Sequence, residues 1–108
     1  PGNTVYVETR VAQANLKVQS VAVLAEILGA SAAGTYLFDV LKNGASVLTA
    51  QIDLETLVAG TWSTGTVKSD GTQNLAVGDE VRVVAISNNG DLVGYTDGIS
   101  FTLGFGVQ

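Results

Sequence analysis

The 108-residue sequence predicts one all-β domain, a single-domain β-sandwich and most readily a jelly roll, with about seven or eight short strands. Three observations predict it. Apolar residues recur with a period of two, the repeat of a strand that rests one face on a core. Clusters of Gly, Asn, Asp and Ser interrupt the apolar runs at the ~8–12-residue spacing of sandwich turns. Strands and long helical stretches do not alternate, so nothing points to a parallel βαβ sheet.

Val5 to Val11 alternates well. Its first part, Val5-Tyr6-Val7, is an apolar strand beside the flexible Pro1-Gly2-Asn3. Such a strand either closes its own sheet or adds to the edge of a neighbour's. Residues 1–12 are therefore set apart as an N-terminal strand or arm, and 13–108 as the sandwich. Leu16 to Leu28 is long enough for one bent strand or two, and Ala30-Ser31-Ala32-Ala33-Gly34 is a connection of small residues.

Thr35 to Leu41 is a strand with Tyr36, Phe38 and Val40 on one face and Thr35, Leu37, Asp39 and Leu41 on the other. Asn43-Gly44 follows between two β-patterned runs. It is the strongest short hairpin signal, because a type I′ turn needs positive φ at both central residues. The return strand is expected from Ser46 to Leu54, with Leu48, Ala50, Ile52 and Leu54 facing in. Asp53 to Gly60 has a capping residue and a closing Gly, and reads as at most two helical turns or as a loop. Trp62 to Ser69 alternates among small residues as a more exposed strand. Val77-Gly78-Asp79-Glu80 is a turn into the strand Val81–Ile86, and Ser87-Asn88-Asn89-Gly90-Asp91 is the turn after it. Ile99, Phe101, Leu103 and Phe105 alternate with Ser100, Thr102, Gly104 and Gly106 in the last strand.

Composition excludes several functions. There is no Cys and no His, which removes disulfides, thiolate chemistry, the commonest general base and the commonest transition-metal ligand. The five basic residues Arg10, Lys17, Lys42, Lys68 and Arg82 are scattered against ten acidic ones, so no basic patch for nucleic acid exists. No apolar run reaches the ~18 residues of a membrane helix. No signal peptide is visible, and Pro1 in a chain without Met reads as removal of an initiator Met. Only 14% of residues are charged, against about 25% in an average domain. A surface so poor in charge is either partly covered by a partner or a neutral Ser/Thr-rich β surface.

Candidate chemistry is thin. A Ser or Thr nucleophile would need a Lys base, and none of the three lysines lies in a recognisable motif. Asp79 and Glu80 are adjacent in a strand start, so they point to opposite faces and do not make a carboxylate pair. Asn88, Asn89, Asp91 and Asp97 carry oxygens that suit calcium, but the spacing is that of tight turns and not of an EF-hand. No catalytic residue, metal or cofactor is expected. Trp62, Tyr6, Tyr36 and Tyr95 are the sugar-stacking candidates. Tyr36 reads as core. Trp62 reads as core, interface anchor or platform, and Tyr95, after Gly94, as the most exposed.

The run Ala33-Gly34-Thr35-Tyr36-Leu37-Phe38-Asp39-Val40-Leu41-Lys42-Asn43-Gly44-Ala45-Ser46-Val47-Leu48 resembles a hairpin of small tailed-bacteriophage structural proteins. Leu75-Ala76-Val77-Gly78-Asp79-Glu80-Val81-Arg82-Val83 resembles a strand start of the same group. Within that group the chain most resembles the capsid decoration (cement) proteins of cyanophage type. A second, weaker similarity, through Gly78-Asp79 and Gly98 to Phe105, is to the trimeric C1q/TNF-like jelly rolls. The resemblance implies a non-enzymatic virion protein on the outer surface of the capsid. It would be a homotrimer that stabilises the head by bridging major capsid protein subunits. Val5, Tyr6, Val7 and Trp62 are the expected assembly contacts. The alternative is a phage fibre or carbohydrate-binding module for host recognition, with Trp62 and Tyr95 on the glycan.

Overall fold

The structure, a computed structural model, describes residues 3–27, 30–31, 35–88, 92–93 and 97–108, and the side chains of 8–26, 36–86 and 99–108. Eleven strands lie among the described residues: β1 (Asn3–Val11), β2 (Leu16–Ile27), β3 (Ala30–Ser31), β4 (Thr35–Lys42), β5 (Ala45–Ser46), β6 (Ile52–Asp53), β7 (Ser63–Gly65), β8 (Asn74–Leu75), β9 (Glu80–Asn88), β10 (Leu92–Val93) and β11 (Asp97–Val107). The first sheet has the order β1-β9-β4-β5, with β6 also on β4. The second has the order β11-β2-β7, with β8 also on β2, and β3 and β10 form a small ribbon. Every pairing is antiparallel. These orders establish a β-sandwich and do not specify a jelly roll.

The two sheets pack face to face through the alternate residues that the period of two picks out. Val18, Val21 and Val23 of β2 meet Phe38 and Val40 of β4 and Val81, Val83 and Ala85 of β9 in one core, with Leu48, Leu54 and Leu75 filling its margin. Tyr36 is half-buried against it. The rings of Phe38 and Phe101, one from each sheet, lie 6.1 Å apart at 44°, within the range of favourable aromatic pairs.

Leu16 to Ile27 is a single strand whose phase changes once. Gly104 of β11 pairs with Ser20 and Phe105 with Val18, so Gln19 is an extra residue in β2. This bulge lets Val18 and Val21, three positions apart, both point into the core.

Asn43 and Gly44 take the positive φ values of the predicted turn, 48° and 89°. The return strand departs from expectation. After β5 the chain leaves the first sheet, forms an isolated antiparallel bridge between Leu48 and Val67, two residues beyond β7, and comes back at β6. Val47 and Leu48 are both buried, whereas Ala50, expected inside, is exposed at the crossing. Asp53 to Gly60 is a series of turns. Asp53 Oδ1 accepts the Glu55 N–H at 2.9 Å and so caps a turn, not a helix.

Candidate functional site

One side of the sandwich is sealed. The Thr49 N–H donates to the Thr66 carbonyl at 2.9 Å, and the Lys68 N–H to the Val47 carbonyl at 2.8 Å. These bonds flank the Leu48–Val67 bridge and join the segment after β5 of the first sheet to the segment after β7 of the second along that margin.

The opposite side is open. It is bordered by β1 in the first sheet and β11 in the second, each hydrogen-bonded, among the described residues, to a strand on one flank only. Between them lies a cleft of about 400 Å³ with a mostly apolar lining that includes Val11, Ala12, Leu16, Phe101, Leu103 and Phe105. Phe105 is 45% exposed and Val11 52%, and Val107 at the end of β11 is more exposed still. Exposed apolar patches of this kind are found at interaction sites and ligand-binding grooves.

The two borders are built differently. In β1, Tyr6 pairs with Val84 and Glu8 with Val83, so Val7 is an extra, bulged residue. The bulge sets Glu8 and Arg10 opposite the core residues Val83 and Val81, on the cleft side of the sheet. The Arg10 Nη2 lies 2.6 Å from Glu8 Oε1. A bulge and charged side chains are two of the devices that stop an edge strand from pairing with another chain. β11 has neither. Its 11 residues carry one charge, Asp97, at the first position, and no Pro.

On the sealed side a second groove, of about 440 Å³, is lined mainly by polar residues, among them Gln51, Asp53, Thr56, Thr61 and Thr64. Trp62 stands on its rim, 47% exposed. It precedes β7, where Ser63 pairs with Val23 of β2. Of its readings as core, anchor or platform, the structure places it at the surface.

At one end of the sandwich the hairpin and the Gly-Asp turn meet. The Asn43 side-chain N–H donates to Asp79 Oδ1 at 3.0 Å, and Asn43 Oδ1 accepts the Glu80 N–H at 2.8 Å. Asp79 Oδ2 accepts the Ala76 N–H at 2.8 Å. The Ala76 N–H first, and the Asn43 amide next, hold the Asp79 carboxyl below its ordinary value. The Ala12 N–H donates to the Asp79 carbonyl at 2.8 Å, and the Gly78 N–H to the Ala12 carbonyl at 2.9 Å, so the end of β1 is tied in too. Asp79 is thus a structural acceptor.

The sequence-predicted contacts do not form one cluster. Val5, Tyr6 and Val7 lie in β1 at the open side, Val5 and Tyr6 paired to β9 of their own sheet and Val7 in the bulge, with side chains outside the described residues. Trp62 is on the other side of the sandwich. Tyr95, and Asn89 to Asp91 of the calcium candidates, lie outside the described residues, as do the side chains of Asn88 and Asp97. Among the described residues no three acidic side chains gather as a metal site would require. What sequence reasoning missed is that the last strand is an undefended border. The available signal was the absence of any charge from Ile99 to Val107. No protein-family model, no curated protein and no solved structure matches this chain.

Proposed function

We propose that this chain is a structural assembly module that works by covering its open side with a protein partner. The observation that carries the reading is the apolar cleft between two strands that, among the described residues, each pair on one flank only, on a sandwich sealed along its other margin. Burying that cleft removes apolar surface from water and satisfies backbone groups at the border strands, the two contributions that make protein association favourable. The Trp62 groove supplies a second contact surface on the far side, and a bridging protein needs two.

The narrower reading comes from the phage resemblance of Ala33–Leu48 and Leu75–Val83: a non-enzymatic capsid decoration protein on the outer face of the virion, bridging major capsid protein subunits. Many modest contacts repeated over a shell add up by mass action. Immunogold labelling of the source virion tests it. Dense gold over the whole head is the expected result, and gold confined to the tail or fibre tips overturns it.

One observation favours the alternative of a fibre or carbohydrate-binding module: an exposed indole beside a groove of hydroxyl and amide groups is what sugar stacking uses. On that reading the protein binds glycans on an array, and Trp62→Ala abolishes the binding without unfolding the chain.

A further inference from the structure

We infer that the open side is closed by a second copy of this chain, with β11 pairing antiparallel to β11 of the partner across a two-fold axis at Thr102. The inference rests on the reading of the open side as an assembly surface. It does not depend on what the assembled protein is attached to.

The first argument is the difference between the two borders. β1 is defended by its bulge and by the Glu8–Arg10 pair, and β11 is undefended. Alternate residues of an edge strand turn their N–H and C=O groups outward, and a long edge without Lys, Pro or a bulge is a template for another strand. A two-fold contact uses this edge twice and leaves β1 out of the ladder. A three-fold ring needs two different surfaces at each contact, and one built by strand addition at this side would set β11 against the defended β1. The edge chemistry therefore selects a dimer over the trimer that the phage resemblance implies.

The second argument is register. Full antiparallel overlap of Asp97–Val107 with itself centres on Thr102. Opposite residues share a face of the sheet. On the cleft face, Phe105 then stands opposite Ile99 of the second copy, and Leu103 opposite Phe101, so the row is apolar between its two ends, where Asp97 stands opposite Val107. On the outer face, Thr102 stands opposite Thr102, and Ser100 opposite Gly104, pairs of small residues that leave no charge to be buried. A shift by one residue would break this matching on both faces.

The third argument is area. At about 3.4 Å per residue the 11 residues of β11 span ~37 Å, and the shortest extent of the molecule is 21 Å. A side of those dimensions outlines ~780 Å², room for a contact on the order of the roughly 800 Å² that each partner buries in a standard specific interface. The contact also joins the two clefts, so that Phe105, exposed in the single chain, is enclosed.

The test is the mass of the full chain in solution by sedimentation equilibrium across a wide range of concentration. The expected species is a dimer, twice the 11.1 kDa of one chain. Thr102 is exposed, so Thr102→Lys leaves the fold intact by circular dichroism. It sets two like charges opposite each other at the axis and weakens the dimer by about fivefold or more. Thr102→Glu does the same alone, and an equimolar mixture of the two variants restores the dimer. A monomer at every concentration, a trimer, or a dimer that neither variant weakens overturns the inference. So does a dimer weakened by both and not restored on mixing. Virion labelling is independent of all these outcomes, and its failure would remove the capsid reading alone.

Discussion

Asp39 accepts the Val40 N–H at 2.8 Å and the Ser46 hydroxyl at 2.6 Å through Oδ1, and the Gln51 side-chain amide at 3.1 Å through Oδ2. It is 2% exposed. A buried carboxylate is tolerable only when hydrogen bonds replace the water it gives up. Here those bonds also fasten the crossing segment, because the Ser46 hydroxyl oxygen in turn accepts the Leu48 N–H at 3.1 Å. Asp39→Ala strands these donors, and is expected to cost about 2–4 kcal/mol. Urea unfolding at unchanged m reads the loss. Ser46→Ala removes one donor from the carboxylate and should cost about 1 kcal/mol. Alternation in the sequence put Asp39 on the face opposite Phe38 and Val40, which is where it lies. It could not reveal that the chain after β5 folds over that face, because the crossing depends on contacts with Val67, about twenty residues on.

At the level of elements, the hairpin and the Gly-Asp turn act as one unit. Asn43 supplies the left-handed backbone the hairpin needs, and its side chain supplies both a donor and an acceptor to the turn before β9. Because bonding holds the Asp79 carboxyl below its ordinary value, Asp79 contributes stability at pH values above the usual carboxylate range. That contribution is lost as pH falls through its folded value. Asp70 is also depressed, chiefly by the Thr72 N–H, and adds in the same direction. Asp79→Asn should therefore lower stability at neutral pH and flatten the fall between about pH 5 and 2, leaving the part due to Asp70. Chemical denaturation of both proteins across that range measures it. The long strands and the two-residue turn were legible, since each depends on its own neighbours in sequence. The break between β5 and β6 and the bulges at Val7 and Gln19 were not, because each answers to a partner strand brought in from afar.

For the molecule as a whole, the period of two gave the sandwich, and the poverty of charge gave a choice between a covered and a neutral surface. Neither could say which strands become borders. That is set by the order in which distant strands meet: Asn3 pairs with Ser87, and Leu16 with Val107. The same order has a mechanical consequence. β1 and β11 are the terminal strands, and Val11, Ala12 and Leu16 border the same cleft as Phe105, so both strands end at the same end of the sandwich. The chain therefore leaves the domain at opposite ends, from Asn3 and from Val107. Tension between these points pulls each terminal strand lengthwise along its neighbour, β1 on β9 and β11 on β2. All the bonds of a ladder share the load and must rupture together, whereas a perpendicular pull would break them one after another. Stretched between its termini in an optical trap, the domain should yield in a single high-force event. Pulled from Asn43 and Val107, it should open at lower force.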